Sequence, residues 1–165
     1  MAVAPAKSPI EAYDIRDIHN IPEREIVTFI NNILSCECDM RVRRQLESSV
    51  ARYVEHFDTN TCFFIALYDN EQLCALLGVD RLNNHTAVLK WVFVDPAHRQ
   101  SGLGSHLIDK AITFATEAGY QTLMLCTATQ KMDAAHRLYN KKGFTFAQDV
   151  TFWRKPMQIL ERALK

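Results

Sequence analysis

No apolar run in this 165-residue chain approaches the roughly 18 residues that a membrane-spanning helix needs. The N-terminus also lacks the basic-then-apolar order of a signal peptide. A soluble, cytoplasmic protein with no membrane partner is therefore expected. Charge of one sign is missing too: 19 Lys plus Arg balance 19 Asp plus Glu, so no global field draws in nucleic acid or an anionic surface. Nucleic acid is not an expected partner, and whatever the chain recognises must be recognised at a local site. Internal repeats and low-complexity tracts are absent. The five cysteines are an odd number, which fits a reducing compartment. Three of them, Cys62, Cys74 and Cys126, fall in apolar strand-like runs, where a thiol is expected to behave as a small buried hydrophobe. Cys36-Glu37-Cys38 lacks the second ligand pair of a structural zinc site, so no metal is expected.

At this length one domain with a continuous core is the simplest organisation. Residues 1–9 are rich in Ala and Pro and show no periodicity, so a flexible leader is expected there, followed by a single domain over residues 10–165. A first strand is expected within residues 11–18. Ile26, Phe29, Ile30 and Ile33 recur at helical spacing across residues 22–34, with Pro22 suited to a first turn. Leu46, Val50, Tyr53, Val54 and Phe57 share one side of a second helix over residues 41–56. From Thr61 the pattern becomes strand-like: residues 62–68, the polar turn Asp69-Asn70-Glu71, then residues 72–79. Residues 87–94 form a long apolar strand stopped by Asp95-Pro96. A helix carrying Ile108, Ala111, Ile112, Phe114 and Ala115 ends at Gly119. A strand over residues 122–128, a short helix carrying Leu138 and Tyr139, a segment over residues 144–150 and a last strand near residues 151–154 complete the order. Mixed α and β elements imply a central sheet covered by helices on both faces.

Between the strand ending at Val94 and the helix beginning near Ser105 lies Arg99-Gln100-Ser101-Gly102-Leu103-Gly104. Backbone N–H groups at a helix start have no intrahelical acceptor, and the aligned peptide dipoles place partial positive charge there, which suits a pyrophosphate. Gly102 and Gly104 let a ligand touch the main chain. The loop is neither a P-loop nor the dinucleotide fingerprint, and it lacks the Lys and hydroxyl that ATP binding would require; what remains is R-x-x-G-x-G. Further along comes Ala135-His136-Arg137-Leu138-Tyr139-Asn140-Lys141-Lys142-Gly143-Phe144, a short helix closed by a glycine cap with a tyrosine one turn from its end. In this order, separated by one helix and one strand, the two segments resemble the GNAT superfamily of acyl-CoA-dependent N-acetyltransferases over roughly residues 60–155.

The resemblance implies an α/β fold with a mixed, mostly antiparallel sheet, a splayed parallel pair of strands and helices on both faces. It implies acetyl-CoA as cosubstrate, with the pyrophosphate held by Arg99, Gln100, Ser101, Gly102, Leu103, Gly104 and Ser105. The pantetheine arm would run beside the main chain of Phe93 and Val94, and Thr127 would line the site. Tyr139 inherits the role of general acid toward the departing thiolate. The acceptor is then a primary amine, a small molecule in preference to a peptide or protein, and a homodimer is expected because paired subunits are common in the family.

Two features depart from the family pattern. The strand before the loop carries no carboxylate, its charge being Lys90, so the base stays open among Asp80, His85, Glu37 and a water chain ending on a main-chain carbonyl. Met132 stands where an Asn or Gln is often found. These departures motivate an alternative, an acyl-CoA-binding sensor of the same fold without turnover. Acceptor-lining candidates are Phe29, Glu37, Phe64, Arg81, Trp91 and Trp153, and His98 is expected at the surface.

Overall fold

The computed structural model describes residues 9–129 and 133–165. The expected leader therefore lies almost wholly outside the described residues, as does Met132. The first strand is reduced to β1 (Asp14–Arg16). Helix α1 (Glu23–Cys38) starts after Pro22 and buries Ile26, Val27, Ile30, Ile33 and Leu34. It outruns its expected end and stops where Asp39 turns left-handed and donates its N–H to the Leu34 carbonyl. Helix α2 (Arg43–His56) buries Leu46, Val50 and Tyr53. Strands β2 (Phe63–Asp69), β3 (Gln72–Arg81) and β4 (Thr86–Val94) follow. Helix α3 (Leu103–Glu117), β5 (Thr122–Ala128), α4 (Asp133–Lys141), β6 (Thr145–Phe152) and β7 (Lys155–Ala163) complete the order.

The seven strands form one sheet in the order β1-β2-β3-β4-β5-β7-β6. All pairings are antiparallel except β4 with β5. Each face has its own core. Leu103, Leu107, Ile108 and Ala111 of α3 pack with Tyr139 and Phe144 on one side, while Ile26, Ile30, Leu46, Val50 and Tyr53 from α1 and α2 pack on the other.

One irregularity shapes the middle of the sheet. Gly78 pairs with Trp91 but Val79 pairs with Leu89, so Lys90 is an extra residue in β4, a β-bulge. Side chains alternate along a strand, so an inserted residue exchanges the faces beyond it. Ala87 and Leu89 thus join the α3 core, whereas Trp91 joins the α1/α2 core. Gly78 is what allows this: a Cβ there would stand 2.9 Å from Trp91 Cε3, well inside van der Waals contact.

The sequence misplaces the last strand. Residues 151–154 are a hairpin tip, with Trp153 and Arg154 both left-handed at φ 51° and 62°, and the final strand is β7. Asn-Gly is the usual signal of such a turn. Here two bulky residues hold it, with Trp153 stacked on Phe152 at 4.6 Å between ring centroids. β7 itself lacks an apolar run, since it buries only Met157 and Leu160.

Candidate active site

The parallel pairing of β4 with β5 lasts four residues, from Thr86↔Thr122 to Leu89↔Leu125. Beyond that, β4 stays with β3 as far as Val94, and β5 stays with β7 as far as Ala128. The two strands therefore diverge, leaving facing unpaired edges along residues 90–94 and 126–128. Two cavities open from this wedge. A groove runs past Val94 and over Gly102, Gly104 and Ser105 toward Leu138. An apolar cavity of about 320 Å³ lies on the α1/α2 side. Val92, Phe93 and Tyr139 border both.

The groove is floored by main chain. Gly102 caps α3 in the left-handed region at φ 83°, and the first bond into the helix runs from the His106 N–H to the Gly102 carbonyl, 3.1 Å. The amides of Leu103, Gly104 and Ser105 precede that bond and are the unpaired donors of the helix start. Gly104 keeps the groove shallow: a Cβ would lie 3.3 Å from Leu138 Cδ2 and 3.9 Å from Val94 Cγ2. Ser101 is exposed and donates its hydroxyl back to the His98 carbonyl at 2.7 Å, and Gln100 is left-handed at φ 62°.

Arg99 is spoken for within the fold. Its Nε donates to the Val94 carbonyl at 3.0 Å, and its guanidinium forms a two-pronged pair with Glu37 of α1, the Nη2–Oε2 arm measuring 2.8 Å. Beneath the loop, His98 Nδ1 lies 3.0 Å from Asp95 and Nε2 3.2 Å from Asp69. These bonds, Asp95 first, raise the imidazole above its ordinary pKa. His98 is thus a half-buried pin rather than a surface residue.

Tyr139 is 7% exposed. Burial alone pushes its phenol up to about 12, and its ring meets Phe144 edge-on at 6.1 Å. Helix α4 is set against β5 by His136 Nε2, 2.9 Å from the Ala128 carbonyl, and against α3 by Lys142 Nζ, 2.8 Å from Asp109. Across the wedge, Thr127 is 4% exposed and its Oγ1 is buried with no hydrogen-bond partner. An unsatisfied buried hydroxyl costs about 1–3 kcal/mol. Its neighbour Cys126 corrects an expectation: the side chain is exposed and lines the apolar cavity instead of packing in the core.

Glu37, Asp80 and His85, the side chains considered as a base, do not line the apolar cavity. Glu37 borders the groove and is held by Arg99. Asp80 faces Lys90 Nζ at 3.6 Å and accepts from the Arg81 N–H. His85 is exposed in the turn before β4, where its carbonyl receives the N–H groups of Gln121 and Thr122. Of the acceptor candidates, Trp91 and Trp153 line the apolar cavity, Glu37 lines the groove, and Phe29, Phe64 and Arg81 line neither.

Residues 27–144 match the Acetyltransferase (GNAT) family. The uncharacterized N-acetyltransferase YhdJ of Bacillus subtilis is 31% identical over 124 residues, 72% of this chain and 85% of that protein. The chain belongs to the GNAT acetyltransferase family. It is accordingly an acyl-CoA-dependent N-acyltransferase. Solved structures agree in fold with this acetyltransferase. Acetyltransferases from Streptococcus agalactiae and Staphylococcus aureus superpose with a TM-score of 0.81 each, at 21% and 24% identity, covering 93% of this chain and 99% and 100% of theirs. The PaiA N-acetyltransferase of Thermoplasma acidophilum, crystallised with coenzyme A, gives 0.66 at 14% identity, covering 92% and 99%.

Proposed function

We propose that this acetyltransferase moves the acetyl group of acetyl-CoA directly onto a primary amine of a small molecule. The observation that carries the reading is the position of Tyr139, a buried, protonated phenol bordering both the groove and the apolar cavity. Acetyl-CoA supplies a thioester whose acyl carbon accepts the amine nitrogen as its sulfur leaves. This chain's residues fit it on two counts: the open amides of Gly102, Leu103, Gly104 and Ser105 suit a pyrophosphate, and the orphaned Thr127 hydroxyl in the wedge lacks only a polar partner. The unpaired edge of β4 at Phe93 and Val94 suits the amides of a pantetheine arm. With Gln100 and Ser101, Arg99 shapes the loop, its pairing with Glu37 fixing the turn against α1.

Tyr139 stays protonated at neutral pH. Against an ordinary thiol of pKa about 8.5, full proton donation from a phenol near 12 would be uphill by roughly 4–5 kcal/mol. A thiolate forming in the same dry wedge is itself destabilised by burial, which narrows that gap. The amine loses its proton to water, since Glu37 and Asp80 are tied up and His85 sits away from the cavity. A cavity of about 320 Å³ is at the small end of ligand sites, which supports a small acceptor over a protein tail. A cytoplasmic homodimer remains part of the reading, supported by the sheet-edge strand β6 with Phe146 56% exposed.

The test is Tyr139→Phe, assayed by thiol release from acetyl-CoA. Turnover is expected to fall about 100-fold, in line with general acid catalysis, with coenzyme A affinity within twofold. Turnover at the parent level with every acceptor would remove the acid role, and the sensor reading would gain if the parent protein itself released no thiol.

A further inference from the structure

The apolar cavity has one chemical property that its size does not dictate. Its wall is built from Leu34, Met40, Trp91, Phe93, Trp153 and Met157, and no carboxylate borders it among the described residues. Its titratable neighbours are Lys90, Cys38, Cys126 and Tyr139. The charge on Lys90 is already answered by Asp80, which sits outside the cavity wall. An ammonium seated against this wall would exchange water for apolar surface and meet no carboxylate there among the described residues, and a charge that loses water without gaining a partner is costly. The amine must therefore arrive neutral.

That requirement selects by basicity. At pH 7.5 an α-amino group of pKa about 8 is roughly a quarter neutral, while an alkylamine near 10.4 is neutral in roughly one molecule per thousand. The resulting handicap is on the order of 100-fold or more. The second selection is by surface. Trp91 and Trp153 contribute aromatic surface to the wall, and the Phe152–Trp153 stack at the β6–β7 tip forms part of it, so a flat apolar body gains contact where a polyhydroxylated or polycationic one loses solvation.

We infer that the acceptor is a weakly basic primary amine carried on an apolar, ring-bearing body, and that polyamines and aminoglycosides are excluded. The inference rests on the acyl-transfer reading above. Such an amine occurs as a free small molecule or as the N-terminus of a peptide beginning with an aromatic residue, and the two sources are separable.

The experiment compares phenylalaninamide, 2-phenylethylamine, spermidine and a hexapeptide beginning with Phe, by thiol release from acetyl-CoA at pH 7.5. In parallel, quenching of tryptophan fluorescence by each amine is followed with coenzyme A present. Phenylalaninamide is expected to exceed spermidine by at least tenfold in kcat/KM and to exceed 2-phenylethylamine as well, with saturable quenching by the two ring-bearing amines. A hexapeptide as good as the free amide would assign the peptide source, and a poor hexapeptide the small molecule. Spermidine equal to or better than phenylalaninamide would overturn the inference while leaving acyl transfer intact. No thiol release with any amine would sink the acyl-transfer reading, and the quenching series would then judge the cavity alone: no preference for ring-bearing amines overturns the inference. As a gain-of-function check, Cys126→Asp places an acid on the wall and is expected to improve spermidine relative to phenylalaninamide at least fivefold.

Discussion

The groove and the apolar cavity meet at Tyr139 but are made of different material. The groove is floored by a contiguous stretch of main chain, Gly102 to Ser105, and pinned by charged side chains, Arg99 on Glu37 and His98 between Asp95 and Asp69. The cavity is walled by side chains from α1, α2, β4, β5, α4, the β6–β7 hairpin and the turn after α1, and its Lys90 is paired with Asp80 outside the wall. Backbone amides recognise a phosphate whatever side chains surround them. An apolar wall recognises whatever its particular residues leave room for. The first arrangement suits a cosubstrate shared by a family, and the second an acceptor that differs among its members.

The sharpest way to break this division is at the shared residue. Tyr139→Phe should lower turnover about 100-fold and disturb neither compartment's binding by more than twofold. Next in size, Gly102→Val attacks the groove alone. A β-branched residue in the left-handed region costs at least 1–2 kcal/mol of strain and crowds the amides, so coenzyme A affinity should weaken about tenfold while quenching by ring-bearing amines is retained. Calorimetry with coenzyme A checks this, and unchanged affinity would show that the loop is not the phosphate site.

Thr127→Val gives a smaller effect with opposite signs in the two states. Removing a buried hydroxyl that has no partner should stabilise the ligand-free protein by about 1 kcal/mol, raising its melting temperature, while coenzyme A binding weakens a few-fold. A lowered melting temperature would mean that the hydroxyl is satisfied after all.

The smallest expected effect concerns pH. The pKa of His98 is raised in the fold by Asp95 and Asp69. Its contribution to stability is therefore complete below the unfolded value of about 6.5 and is lost as pH rises through the folded value. The melting temperature should drift down from pH 6 toward pH 8, and His98→Asn should flatten that drift without altering the acceptor preference. A parent protein equally stable across that range would sever the pin from the groove.

Much of this is legible in the amino-acid sequence. The helix faces of α1 and α3, strands β2 to β5 and the glycine loop obey local rules, namely the spacing of apolar residues, proline as a stop and glycine as a cap. The failures share a cause. The bulge at Lys90 is hidden in the near-continuous apolar run Ala87–Val94, because it depends on Gly78 of a different strand accepting the Trp91 ring. The strand β7 was missed because it carries little apolar signal and follows a turn made by Trp153 and Arg154 instead of glycine or asparagine. Cys126 reads as core because its neighbours are apolar, yet it faces the gap left when β5 departs from β4. The occupation of Arg99 by Glu37, 62 residues away, has no local signature either.

By itself the sequence determined the family, the glycine loop that opens α3 and the tyrosine of α4 that follows it, because each depends on residues close together in the chain. Only the tertiary structure decided that the strands part after Leu89, that Thr127 Oγ1 is left without a partner and that no carboxylate lines the apolar cavity among the described residues. Those properties belong to pairs and groups of residues brought together from distant segments, and the free energy of a buried charge or hydroxyl depends on which neighbours the fold supplies.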